Sequence, residues 1–280
     1  LFFTAPPRIT ALMIRLTALL CALCLAALPL RANPYADMVS MRLVPGWQMS
    51  DGTLMAGLEF RLATGWKTYW RAPGDAGIPP VFDWSGSRNL GALDIEWPRP
   101  EVFDQNGMRS IGYEGDVILP LVITPDRAGR PVQLAGHIEI GICQDVCVPV
   151  QLDLDAVTLE ARADAPPVPA IAAALADRPV RGDEAGLSHH ECAIAPGDDG
   201  LILTARFTLP PIGETETAAL ETADPMIWVS EPEMERAGDT LTARFELMSD
   251  TGQPFALDRS GLRFTLLGES RAVDIRGCGG

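Results

Sequence analysis

The chain has 280 residues, with 22 Lys+Arg against 37 Asp+Glu, a formal charge of -15 and a single lysine, Lys67. Such a surface repels phosphate backbones, which excludes nucleic acid as a partner. At 47% hydrophobic the chain can bury a core in one large or two small domains, and 26 glycines with 24 prolines fit short strands joined by turns, not a helical bundle.

Residues 1–12 precede an internal methionine, Met13, and read as an over-extended translation start. From Met13 and Arg15 the chain runs from Leu16 to Leu30, apolar apart from Thr17, and into Arg31-Ala32-Asn33-Pro34. This predicts a signal peptide over 1–32 cleaved near Ala32, because the run is shorter than the roughly 20 residues that span a bilayer. Neither Cys21 nor Cys24 follows the small residue of a lipoprotein site, so no lipid anchor is expected. The remainder holds 19 basic and 37 acidic residues and four cysteines, Cys143, Cys147, Cys192 and Cys278, in a compartment that permits disulfides. With no later segment apolar enough to cross a membrane, it is expected to be exported and soluble.

Apolar residues then recur at every second position, the period of a half-buried strand. Leu54, Leu58, Phe60 and Leu62 form one run and Val117, Leu119 and Leu121 another. Between them Trp66, Trp70, Pro73-Gly74, Pro79-Pro80, Trp84 and Trp97-Pro98 predict long ordered loops. Ile138, Ile140 and Ile142 face Val148, Val150, Leu152 and Leu154 as the two arms of a hairpin, with His137, Glu139, Gln151 and Asp153 on the other side. Pro166-Pro167-Val168-Pro169, a helical stretch from Ala170 to Ala176, and Arg178-Pro179 mark a linker. Alternation returns at Leu201 to Phe207, Leu241 to Leu247 and Leu262 to Leu266. The expected fold is all-β: a sandwich domain over 33–163, a Pro/Ala-rich linker with a short helix over 164–187, and a second sandwich domain over 188–280.

Cys143 and Cys147 flank a three-residue loop at the tip of the expected hairpin. Fully extended, their Cα atoms would lie about 13 Å apart, beyond the roughly 7 Å limit for bridging, so the turn is what permits a disulfide. A bridge closing so short a loop is a poor staple. At an exposed turn it fits a labile redox pair, while a local clip remains the competing reading. Zinc or copper would need His137, Cys192, His189 and His190 gathered from other strands, and no helix follows to make a thioredoxin-like Cys-x-x-Cys, so neither metal nor any other cofactor is expected. The neighbours Asp145 and Glu139 are acidic, so exchange would depend on a partner that brings the reactive thiolate. Cys192 and Cys278 would close about 85 residues, worth roughly 4–5 kcal/mol, and read as a structural bridge. His189 and His190 fit a solvated turn, and Trp66, Tyr69 and Trp70 fit packing.

Gly65-Trp66-Lys67-Thr68-Tyr69-Trp70-Arg71-Ala72-Pro73-Gly74-Asp75-Ala76-Gly77-Ile78-Pro79-Pro80, Trp97-Pro98, Gly112-Tyr113-Glu114-Gly115, Leu119-Pro120, and Cys143 with Cys147-Val148-Pro149 carry a resemblance. In order and spacing they resemble the periplasmic N-terminal region of the thiol:disulfide interchange proteins DsbD and ScsB, over about residues 35–160. The resemblance implies immunoglobulin-like sandwiches and a cysteine pair that cycles between dithiol and disulfide. It makes Cys147 the residue of the mixed disulfide and Cys143 its resolving partner. An aromatic cap over the pair falls on Phe103 to Arg109, with Phe103, Met108 and Tyr113 as the shielding candidates. Two departures stand out: the pair has three intervening residues where better-known members have more, and neither a membrane domain nor a thioredoxin-like domain is present.

The expected function is a periplasmic carrier of reducing equivalents, a protein-disulfide reductase component in stand-alone form. It would take electrons in trans from a DsbD/CcdA-like membrane donor through thioredoxin-like proteins, and pass them to disulfide isomerases, cytochrome maturation proteins or peroxide-reducing partners. The alternatives are a non-catalytic protein-binding module with structural disulfides and, third, a copper-handling protein.

Overall fold

A computed structural model describes residues 35, 37–74, 77–105, 107–162 and 164–279. The signal-peptide reading and the Met108 side chain lie outside the described residues. Residues 37–280 belong to one unit.

The first half holds ten strands: β1 (Val39–Gln48), β2 (Leu54–Leu62), β3 (Lys67–Tyr69), β4 (Val81–Asp83), β5 (Leu90–Ile95), β6 (Glu101–Gln105), β7 (Met108–Glu114), β8 (Val117–Pro125), β9 (Val132–Cys143) and β10 (Cys147–Leu159). They build two antiparallel sheets, in the orders β1-β2-β8-β5 and β10-β9-β3-β7-β6, with β4 paired to β9 beside β3. The hairpin of β9 and β10 keeps the expected alternation, with Ile138, Ile140, Ile142 and Val150 buried.

β2 departs from alternation because both its faces are covered. Helix α1 (Pro169–Ala176) packs on the neighbouring β8, and its Ile171 is fully buried. A Cβ at Gly57 of β2 would meet Ile171 Cγ1 at 2.9 Å, so the glycine makes room for the helix. The long loops expected between Leu62 and Tyr113 are corrected to five short strands, β3 to β7. Trp, Pro and Gly break the run into pieces of three to seven residues, too short to show a period; β3 and β4 pair with β9 and β5 with β8, all later in the chain, while β6 and β7 pair with each other and β7 with β3.

The second half holds β11 (Val180–Arg181), β12 (His189–Pro196), β13 (Leu201–Thr208), β14 (Thr217–Glu221), β15 (Ile227–Val229), β16 (Glu233–Ala237), β17 (Thr240–Ser249), β18 (Arg263–Leu267) and β19 (Ala272–Arg276). Two sheets run β11-β19-β18-β14 and β12-β13-β17-β15, with β16 also on β17, and enclose a core in which the Phe264 ring meets Phe207 at 5.2 Å and Phe245 at 6.4 Å. Within the expected linker, α1 lies on the first sandwich and β11 joins the second as a parallel partner of β19. Cys192 of β12 is bonded to Cys278 beyond β19, so this bridge ties one sheet of the second sandwich to the other. The chain is thus all-β, two immunoglobulin-like sandwiches with one short helix among the described residues.

The sandwiches meet through charged side chains. The Arg71 guanidinium donates to both carboxylate oxygens of Glu221 at 2.9 and 3.1 Å and to Thr265 Oγ1 at 3.2 Å, and lies 3.8 Å over the Trp70 ring. Burial pulls the Arg71 pKa below its ordinary value against the opposing pull of Glu221. Arg109 donates through its amide to Glu231 at 3.1 Å and through its side chain to Thr217 at 3.0 Å. No helix among the described residues is long and apolar enough to cross a membrane.

Candidate functional site

Strands β9 and β10 place Cys143 and Cys147 directly opposite each other at the open end of their ladder, with Gln144, Asp145 and Val146 as the connecting loop. Their Cα atoms are 4.1 Å apart and the sulfurs are bonded. The two cysteines differ in exposure. Cys143 is 5% exposed, Cys147 is exposed at the surface, and Val146 beside it is 64% exposed. A nucleophile arriving from solvent therefore meets the Cys147 sulfur first.

The support beneath the loop comes from the Gly65–Tyr69 segment. Gly65 has φ +78°, a left-handed conformation that costs glycine nothing, and a Cβ there would lie 3.3 Å from Gln144 Nε2. The turn thus brings the chain against the cysteine loop. Thr68 pairs with Ile142, and its buried hydroxyl donates to the Gly141 carbonyl at 2.9 Å. Gly141 has no room for a side chain: a Cβ would meet the Tyr69 ring and Ile78 at 2.6 Å. Tyr69 and Ile78 are held there against the β9 backbone.

Because neighbours in register share a face and successive residues alternate, Lys67, Cys143 and Glu114 lie on one face, while Thr68, Ile142 and Tyr113 lie on the other. Tyr113 is buried, its hydroxyl donates to the Pro98 carbonyl at 2.9 Å, and burial pushes its phenol well above the ordinary value. It therefore faces away from the cysteine side. Half-buried Phe103, on β6, receives the Lys67 ammonium over its ring at 4.2 Å, which links the expected cap stretch to the cross-strand neighbour of Cys143. The signal for Lys67 in the sequence was its being the sole lysine; its pairing with Cys143 is set by β3 register and was not foreseen.

The acidic setting expected from Glu139 and Asp145 is also revised. Glu139 sits four positions along β9 from Cys143, accepts a hydrogen bond from Gln151 Nε2 at 2.7 Å, and lies 3.8 Å from His137. His137 in turn contacts Asp153 at 2.6 Å, and that contact raises the imidazole pKa. Asp145 stays in the exposed loop. Among the described residues no three His, Cys, Asp or Glu side chains cluster to hold a metal ion. His189 is exposed and His190 half-buried on β12, and Cys192 is occupied by its disulfide.

The family model described as the N-terminal region of the thiol:disulfide interchange protein DsbD matches residues 40–159. Among solved structures, the N-terminal periplasmic domain of ScsB from Proteus mirabilis is similar over 89% of this chain and 97% of its own length, at 25% identity and a TM-score of 0.61. That match takes in both sandwiches, whereas the family model ends with the first. The DsbD N-terminal domain of Neisseria meningitidis, in the reduced form, aligns over 46% of this chain and 94% of its own at 18% identity, with a TM-score of 0.24 too low to bear on the fold. No curated protein sequence matches. The two matches make the first sandwich, with its cysteine pair at a hairpin tip, a module of the thiol–disulfide exchange class. Residues 40–159 are a domain of the DsbD/ScsB N-terminal type.

Proposed function

We propose that the protein relays reducing equivalents by thiol–disulfide exchange through Cys143 and Cys147. The observation that carries this is the asymmetric bridge at the hairpin tip, with an exposed Cys147 bonded to a buried Cys143 in a domain of this family. A thiolate of a dithiol partner attacks the Cys147 sulfur, forming a partner–Cys147 disulfide, and the electron pair of the broken bond goes to Cys143. The partner's second thiolate then attacks its own bridged sulfur and releases Cys147. The partner ends as a disulfide and the pair as a dithiol, after two electrons have been transferred. Run backwards with a disulfide-bearing acceptor, the same steps pass the electrons on.

In this reading residues 1–32 direct export, the exchange domain occupies 33–163, and the segment 164–187 connects it to the second sandwich at 188–280. The protein works in the periplasm, with a DsbD/CcdA-like membrane donor and thioredoxin-like proteins in trans, and cytochrome maturation proteins among the acceptors. It requires no cofactor, and Cys192–Cys278 is structural.

The test is a redox titration of the purified protein with thiol trapping, paired with Cys147→Ser. A midpoint for the Cys143–Cys147 pair between about -270 and -120 mV, with exchange abolished in a folded Cys147→Ser protein, is the expected result. A midpoint below about -300 mV, or exchange unchanged by the substitution, overturns it and leaves a protein-binding module.

A further inference from the structure

We infer that the cleft between the β4–β5 connection and the β8–β9 turn binds a phosphate monoester. It lies at the far end of β9 from Cys143, about 35 Å away along the strand, and is independent of the exchange chemistry. Among the described residues, Arg88 and Arg130 are the arginines whose side chains make neither an ion pair nor a hydrogen bond, and both line this cleft of about 550 Å³. Arg127 lines it too, and its ion pair with Asp126, at 4.0 Å, is long. In a chain of net charge -15 the remaining arginines among the described residues all meet a carboxylate or a carbonyl, so the guanidinium groups left facing this cleft are available to an anion from outside.

The backbone holds these groups in place. Asn89 is the non-glycine residue with positive φ among the described residues, at +58°, a conformation asparagine tolerates. Its side-chain amide donates to the Arg127, Arg130 and Pro131 carbonyls at 3.3, 3.1 and 3.2 Å, and its Oδ1 accepts from the Arg127 amide at 2.8 Å. The turn that carries Arg127 and Arg130 is thereby clamped to the connection that carries Arg88. Arg88 is bridged to Gln133, and Gln133 is in register with Thr158 of β10, so a guanidinium, an amide and a hydroxyl stand in one row, all exposed and all lining the cleft. Guanidinium groups take phosphate oxygens through paired N–H donors, and the amide and hydroxyl add further donors. Charge decides the class of anion. Three arginines against Asp126, the one carboxylate of the lining, leave about +2. A carboxylate ligand would balance half of this, whereas a phosphate monoester carries about -1.5 to -2 at pH 7. The volume falls among small-molecule sites, roughly 300–1,000 Å³, with room for the organic part of the ester. The net charge that repels a long phosphate backbone is screened beyond about 8 Å at physiological ionic strength, so the arginines set the field inside the cleft.

The experiment titrates the purified protein with glycerol 3-phosphate, inorganic phosphate and acetate at constant ionic strength, following amide NMR shifts. Saturable shifts at residues 88–89 and 126–133 are expected with both phosphates and not with acetate. Arg88→Gln and Arg130→Gln should each raise the Kd about tenfold, the factor a hydrogen bond to a charged group commands. Asp126→Asn, which removes the opposing carboxylate, should lower it about threefold. Arg206→Gln, an exposed arginine paired with Glu191 on the second sandwich, makes the same change in net charge and should leave the Kd unaltered. A second arm sediments the protein with phosphatidylcholine vesicles with and without phosphatidic acid. Binding to the soluble phosphates alone assigns a soluble ester, and binding to both, lost together in Arg130→Gln, assigns the same cleft to a lipid headgroup as well. Vesicle binding without soluble binding overturns the inference and leaves a cationic surface patch. Shifts that do not saturate, that acetate reproduces, or that survive Arg88→Gln and Arg130→Gln unchanged overturn it too.

Discussion

A relay disulfide must open at every turnover without unfolding the protein that carries it, and the two bridges here should differ accordingly. The site bridge joins residues 4 apart in sequence, the other residues 86 apart. Loop-closure entropy at 25 °C assigns the first about 1.9 kcal/mol and the second about 4.6 kcal/mol. The perturbation is a pair of double variants, Cys143→Ala with Cys147→Ala and Cys192→Ala with Cys278→Ala. Each pair holds one buried and one less buried cysteine, so the packing losses largely cancel in the comparison. The remaining difference, about 2.7 kcal/mol, is about 100-fold in the unfolding constant. In melting temperature, at about 2–4 °C per kcal/mol for a unit of this size, the site variant should lose about 4–8 °C and the other about 9–18 °C. Urea unfolding followed by circular dichroism, with thermal scans alongside, reads both. Equal losses, or a larger loss at the site, would refute the reasoning and make Cys143–Cys147 a clip that the fold needs.

Two further outcomes are expected at the junction of the sandwiches. Glu221→Ala strands the Arg71 guanidinium, only 13% exposed, and should cost about 3 kcal/mol, whereas the double variant Arg71→Met with Glu221→Leu removes both charges and should cost about 1 kcal/mol or less. Denaturant midpoints check the asymmetry, and equal losses would show that the pair is not desolvated. The Glu269 carboxyl accepts hydrogen bonds from the Thr215 hydroxyl and from the Thr215 and Glu214 amides, and the hydroxyl leads in lowering its pKa to about 2. A folded pKa below the unfolded value of about 4.3 means stability that is present above that pH and is lost as pH falls towards about 2. The melting-temperature gap between wild type and Glu269→Gln should therefore close between pH 5 and pH 2, and a gap constant across that range would refute it.

What the sequence made legible follows from how far apart the interacting residues lie along it. The hairpin of β9 and β10 was readable because its arms are adjacent and each is buried on one face, so Ile138, Ile140 and Ile142 repeat at the strand period. The pairing of Cys143 with Cys147 followed from the same local geometry, since a tight turn is the way residues four apart can bridge. β3 offered no such handle. Three residues, Lys67 to Tyr69, show no period, and their place between β9 and β7 is decided by chain distant from them in sequence. The resemblance marked residues 65–80 as important without saying why. In the structure the run serves three purposes, since Gly65 meets the cysteine loop, Tyr69 and Ile78 pack on Gly141, and Arg71 reaches the second sandwich. Local spacing thus revealed the reacting sulfurs, while their charged surroundings depended on a non-local register. Asp145 and Glu139 are near Cys143 in sequence and made the site look purely acidic. Lys67 is 76 residues away in sequence and one strand away in space, in register with Cys143, while its ammonium reaches away across β7 to the Phe103 ring on β6.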